Sequence, residues 1–199
     1  MNNRMRQRYQ KMRTVLMRQG RLHAGFTLVE TLVAITILLV AIMGPMTIAA
    51  RGLQSAFHAR EQITAFFLAQ EGVELIRMHR DGNALGRLGW LNNIPGVCRS
   101  NSQGCGMDAR NPAVIRNCNS ENCQLSYDTN PLSSGRGFYT YTPTGLPSMS
   151  PFTRQIWVNP LGGGGEAVVT VTVSWPSGLF GGTRNVTVTS RIFNQYDNL

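Results

Sequence analysis

Gly25-Phe26-Thr27-Leu28-Val29-Glu30 opens onto Thr31 to Ala50, a run without a charged residue in which Leu, Ile, Val, Ala and Met dominate. Twenty such residues at about 1.5 Å each make roughly 30 Å of helix, the thickness of a bilayer's hydrocarbon core. Seven positive residues and no acidic one stand before it: Arg4, Arg6, Arg8, Lys11, Arg13, Arg18 and Arg21. Charge so one-sided holds the amino end in the cytoplasm and carries everything after Ala50 across the membrane. Glu30 is the odd residue, a carboxylate where the apolar run begins. A charge near hydrocarbon costs a few kcal/mol, so it needs either the headgroup region or a fixed positive partner.

A basic block, then Gly25, Phe26, Glu30 and an apolar helix, in that order, resembles the type III signal of type IV prepilins and pseudopilins. The resemblance is strong from Ala24 to about Arg80 and weaker over the carboxy-terminal strands. It implies that a prepilin peptidase cuts after Gly25 and that the new terminus, Phe26, is N-methylated. It also implies that Glu30 pairs with the amine of a neighbouring subunit during assembly. The partners implied are other pilin subunits, an inner-membrane assembly platform with a separate ATPase, and the lipid bilayer. Residues 1–25 are then a cleaved cytoplasmic leader, long for the family, with Met5, Met12 and Met17 offering shorter starts. Gly44-Pro45 lies inside the helix, where proline removes a backbone hydrogen bond and clashes with the preceding turn, so a kink or loosened turn is expected. Many pilins carry a helix-breaking proline in this half, which melts when packed in the filament.

With a net charge of +9, the 199-residue chain at first suggests nucleic acid. The charge is misplaced for that. Beyond residue 25 there remain 12 positive and 10 negative residues and no lysine. Basicity here is a topology signal, and a nucleic-acid partner is not expected.

From Arg51 to Arg80 the pattern turns amphipathic, with Leu53, Phe57, Ile63, Phe66, Phe67, Val73, Leu75, Ile76 and Met78 at steps of three and four. Asp81-Gly82-Asn83 reads as the stop. A helix from Phe26 to Arg80 would run about 80 Å, more than one small domain covers, so the rest needs lipid or partner helices. Residues 26–50 form its membrane-spanning or filament-core half and 51–80 its amphipathic half.

Residues 81–136 read as irregular, rich in Gly, Asn, Ser and Cys, with Trp90 and Leu91 as anchors. All four cysteines lie here, as Cys98-x6-Cys105 and Cys118-x4-Cys123. Beyond a membrane span disulfides are the default. Four cysteines allow three pairings and sequence does not choose among them; we expect neighbours to pair. Zinc is disfavoured because neither pair has C-x2-C spacing and no His lies nearby. Asn117, Asn119, Glu121 and Asn122 lack the carboxylate density of a calcium loop.

Residues 137–199 read as an antiparallel sheet. Phe138 to Tyr141 is short and aromatic. Phe152, Arg154, Ile156 and Val158 share one face of a strand, and Val169, Val171, Val173 and Trp175 one face of the next. Val186, Val188 and Ile192 point inward from a third, Asn185 to Phe193. The expected fold class is α+β, a long amino-terminal helix packed on a small antiparallel sheet.

No catalytic constellation is legible. His23 lies in the leader, and His58 and His79 lie on the helix without a nucleophile in a partner motif. The run Gly162 to Gly165 is no P-loop, since GK[ST] is missing, so any assembly motor is another protein. No cofactor or metal is expected. Asn185-Val186-Thr187 matches a glycosylation sequon inside a predicted strand. The expectation is a structural subunit, a minor pilin or pseudopilin, held in the membrane as a preprotein with its carboxy-terminal domain outside the cytoplasm and later in a surface or periplasmic filament. The cysteines all precede the main strands, unlike major pilins that close a late loop by disulfide, which favours a low-abundance subunit. The alternatives are a single-pass anchored protein whose outer domain binds a ligand, or a pseudopilin of a secretion or DNA-uptake system.

Overall fold

A computed structural model describes residues 25–99, 103–119, 122–132, 136–141, 148–177 and 181–195. The leader expected at 1–25 lies outside the described residues except for Gly25. The chain divides into two compact units, Met1–Gln54 and Ser55–Leu199.

Helix α1 (Leu28–Leu85) belongs to both. In the first unit every described residue from Gly25 to Leu53 is exposed. The helix begins at Leu28 because Thr27 caps it: Thr27 Oγ1 accepts from the Glu30 amide at 3.2 Å, and the Thr31 amide donates to the Thr27 carbonyl at 3.1 Å. A side-chain oxygen there satisfies one of the amides left without a partner in the first turn. The assignment runs through Gly44-Pro45 without a break. Pro45 has no N–H for the Ala41 carbonyl, and the Thr47 hydroxyl donates to the Gly44 carbonyl at 2.8 Å.

In the second unit α1 ends at Leu85, beyond the stop expected at Asp81-Gly82-Asn83. The left-handed residue that ends it is Arg87, one position after Gly86. The Leu88 amide donates to the Asn83 carbonyl at 2.8 Å and the Arg87 amide to the Ala84 carbonyl at 3.0 Å, with Arg87 at φ 53°. This is a Schellman cap with arginine in the left-handed position that glycine usually takes. Asn83 is buried, its amide donating to the Trp90 carbonyl at 3.1 Å and to the Asn92 carbonyl, so it ties down the turn instead of breaking the helix.

Among the described residues the sheet has seven strands: β1 (Cys105–Met107), β2 (Ile115–Asn117), β3 (Gln124–Tyr127), β4 (Tyr139–Thr140), β5 (Ser148–Pro160), β6 (Glu166–Pro176) and β7 (Thr183–Phe193). All pairings are antiparallel. The fold class is α+β. The last three strands form the meander, and their alternation buries the faces carrying Phe152 to Val158, Val169 to Trp175, and Ile192. The structure differs over 81–136, where the irregular reading misses β1, β2, β3 and a short helix α2 (Gly96–Arg99). β3 and β1 share the edge of β5 that β6 leaves open: Thr153 pairs with both Gln124 and Ser174, Ile156 with both Cys105 and Val171. Strands of three or four residues hold no period to read; β1 and β3 form on the ladder that β5 offers, and β2 on the one that β1 offers.

The core lies between the sheet and the second half of α1, from Ala65, Leu68, Ala69, Val73, Leu75 and Ile76 to Ile156, Val169, Val171 and Val173. Gly72 sets the helix's distance from the sheet, since a Cβ there would stand 2.8 Å from Val171 Cγ1. Beside this apolar contact sits Arg154, fully buried on the inward face of β5. Its guanidinium meets the Glu71 carboxylate and donates to the carbonyls of Leu68 (3.3 Å) and Met107 (2.6 Å). One side chain thereby joins α1, β5 and β1. The Tyr141 hydroxyl donates to the Arg154 carbonyl at 3.0 Å, and the guanidinium carbon lies 5.9 Å from the Tyr141 ring centre. Burial pushes the Tyr141 phenol up from 10.0, against a smaller downward pull from Arg154.

Candidate functional site: an amino-terminal signal and an uncovered helix

Gly25, Phe26 and Glu30 lie together at the mouth of α1. Gly25 and Phe26 precede the helix, Thr27 caps it, and Glu30 falls in its first turn. A carboxylate in that position is stabilised by the amide dipoles of the turn, on the order of 0.3–1 kcal/mol when exposed. Thr27 and Glu30 have the spacing of a capping box, and the half in which Thr27 receives the Glu30 amide is formed. Cutting the bond after Gly25 would place a cationic amine on Phe26, one residue before the cap.

The surface behind this junction is apolar and bare. Leu28 is 79% exposed, Val40 72%, and Ile48 72%. Helix α1 is long and apolar enough to cross a membrane. In the second unit the burial splits. Ala65, Leu68, Ala69 and Ile76 face the sheet, whereas Phe57, Ile63, Phe66, Phe67 and Met78 stay largely exposed. An exposed series of aromatic and aliphatic side chains at helical spacing marks a surface for contact with lipid or another protein.

The cysteines stand apart from the helix mouth. Cys98, in α2, bonds to Cys105 at the start of β1, and Cys118, after β2, bonds to Cys123 before β3. Cα separations of 4.8 and 5.4 Å lie in the range disulfides occupy. Each bridge closes a short loop and contributes roughly 2–3 kcal/mol by restricting the unfolded chain. Protein recovered from its native envelope is therefore expected to block no thiol with an alkylating reagent until reduced, and four thiols by mass after reduction. Alkylation before reduction would overturn this pairing.

Of the histidines, His79 Nε2 lies 3.1 Å from the Pro112 carbonyl, and His58 lies 3.7 Å from the Glu61 carboxylate. Arg110 reaches Asp128 at 3.0 Å, and Asp108 receives the Thr140 hydroxyl at 2.7 Å and the Tyr141 amide at 3.0 Å. These carboxylates organise the β1–β4 side of the sheet. Reading the sequence missed them and the Glu71–Arg154 pair. The available signal was Arg154 itself, a lone charge on an apolar face, which requires an acidic partner from whatever packs above it.

A family model for the prokaryotic N-terminal methylation motif matches residues 20–44. The chain carries the signal of a type IV prepilin. The match covers the junction at Gly25-Phe26 and the first part of α1 and stops short of the sheet. No curated protein and no solved structure matches the chain. Type IV pilin-like proteins are structural and are processed by prepilin peptidase, and this signal with the apolar helix behind it fits a membrane-anchored protein with a carboxy-terminal domain.

Proposed function

We propose that the chain is a structural subunit, a minor pilin or pseudopilin, of a type IV pilus-like filament. The peptidase cuts after Gly25, Phe26 becomes the methylated amino terminus, and the subunit waits with α1 in the bilayer and its sheet domain outside the cytoplasm. Assembly moves the apolar helix from lipid into a bundle of like helices. One observation carries this reading: the methylation motif sits on a helix whose apolar surface is exposed from Leu28 to Phe67. Leaving that surface in water would be costly, at about 25 cal/mol for each Å². Lipid covers it before assembly and neighbouring helices cover it afterwards. Glu30 is the one acidic residue within the apolar half and meets the amine of an adjacent subunit there. The bridges from α2 to β1 and from β2 to β3 precede the main strands, an arrangement that supports a low-abundance subunit over the main one.

The test is the mature amino terminus. Mass spectrometry of protein from the native membrane is expected to begin at Phe26, with one added methyl group. Gly25→Val enlarges the residue before the cut and is expected to leave the full-length form in the membrane, with roughly a hundredfold or greater loss of processing, the size of effect a misplaced scissile bond produces. A mature protein that keeps Met1 belongs to a single-pass anchored protein and sinks the reading, as does normal processing of Gly25→Val.

A further inference from the structure

Strand β7 is the long edge of the sheet. Among the described residues it pairs only with β6, in unbroken register from Glu166↔Phe193 to Pro176↔Thr183. The other outermost strands, β2 and β4, have three and two residues and are too short to template a partner. The register shows which backbone groups face outward. Beyond the two ends of the ladder, Ser177 donates to the Gly182 carbonyl and Asn194 to the Gly165 carbonyl. Hydrogen-bonded positions alternate along an antiparallel pair, so Arg184, Val186, Val188, Ser190 and Ile192 turn their amides and carbonyls toward β6. Asn185, Thr187, Thr189 and Arg191 turn theirs away, toward an edge that nothing described occupies. Edges are normally blunted by proline, lysine, bulges or an inward charge. β7 has no proline or lysine, its pairing with β6 shows no shift, and Val186, Val188, Ser190 and Ile192 on its inward face carry no charge, the one charge on that face, Arg184, being exposed at the start of the strand, away from the core.

We propose that this edge takes an extended segment of another protein as an eighth strand. The segment alternates apolar and polar residues and is acidic toward its ends. Its apolar side chains would lie beside the half-buried Val186 and Val188, and its polar ones beside Thr187 and Thr189. The charges on β7 are Arg184 and Arg191, both positive, and Arg191 remains 67% exposed despite its bond to Glu166. Backbone pairing supplies the affinity, and the alternating contacts with the flanking arginines supply the selection.

A second copy of this chain does not fit. Joining two β7 edges antiparallel in one continuous sheet requires a two-fold axis normal to that sheet. Helix α1 lies along the sheet, with Leu68 bonded to Arg154 of β5, Gly72 against Val171 of β6, and Arg77 bonded to Ser190 of β7. Such an axis would therefore reverse α1 in the second copy, whereas subunits anchored in one bilayer by their amino ends run the same way. Copies that run the same way would have to set β7 against the short β2 or β4 of a neighbour. This exclusion rests on the filament reading, while the open edge does not.

The experiment is residue-resolved amide exchange on the full chain in detergent. The probe is a synthetic nonapeptide of alternating valine and threonine between terminal glutamates, compared with the same peptide N-methylated at alternate residues. Without peptide, the amides of Thr187, Thr189 and Arg191 are expected to exchange at least about tenfold faster than those of Val186, Val188 and Ser190. The unmodified peptide should slow the fast set by at least about tenfold, and the N-methylated one should leave it fast. Thr187→Pro, which removes an outward N–H and no ladder bond, should abolish the slowing while Val171 stays protected. If that variant loses Val171 protection, the two peptides decide alone. Outward amides already slow without peptide, slowing that grows with protein concentration, or equal slowing by both peptides would each overturn the proposal. Processing after Gly25 is unaffected by any of these outcomes, so failure here is distinguishable from failure of the pilin reading.

Discussion

Glu30→Leu is expected to leave insertion, folding of the sheet domain and cleavage after Gly25 intact, while its content in sheared filaments falls at least about tenfold against the membrane pool, equivalent to at least about 1.4 kcal/mol. In the isolated chain Glu30 is exposed and its amide is held by Thr27, so the carboxylate is not needed to form the helix. Removing it forfeits only a small dipole term. In the filament proposed above, staggered helices would instead bring each Glu30 near the amine of another subunit, away from water. Attraction between unit charges grows as the dielectric falls, and the desolvation cost rises with it, so the pair acts as a register pin more than as glue. Leucine keeps the bulk and loses the selection of stagger. The variant is to be expressed beside wild-type partners, and its ratio in filament and membrane fractions measured. Equal ratios for variant and wild type sink the pairing role. A subunit at the filament tip has no subunit above it to pair with, and the reciprocal change in the major subunit separates that case.

Glu71→Ala is expected to destabilise the sheet domain without touching processing. Arg154 is fully buried, and Glu71 is its carboxylate partner. Breaking a buried pair by removing one member costs about 3–5 kcal/mol, because the other charge is left uncompensated. Glu71 is 35% exposed, so water reaches its side of the pair and brings the expectation to about 2–4 kcal/mol. For a unit of this size that is a fall in Tm of about 5–15 °C. The carbonyls of Leu68 and Met107 still receive the guanidinium, which is why the domain should fold at all. Arg154→Met together with Glu71→Leu should recover most of the loss, since an apolar pair carries no desolvation penalty. Thermal unfolding followed by circular dichroism checks both. A change under about 2 °C for Glu71→Ala would show that the pair holds nothing together.

The amino-terminal half of the molecule was legible because its signals are local and additive. Charge asymmetry, the length of an uncharged run and the order of Gly25, Phe26 and Glu30 need no knowledge of what lies nearby in space. The same holds for β5, β6 and β7, each of them 11 residues or longer, whose alternation named the buried face residue by residue. Three features were decided only in three dimensions. The end of α1 shifted to Leu85 because Arg87 accepts a left-handed conformation that the turn beyond it imposes. Strands β1, β2 and β3 are too short to carry a period, and they form where the flank of β5 and the bridges from Cys98 and Cys118 hold them. Arg154 was placed on the correct face by its period, yet its partner lies 83 residues away. Sequence fixes which way a side chain points along its own strand, and only packing brings a carboxylate from another element to meet it.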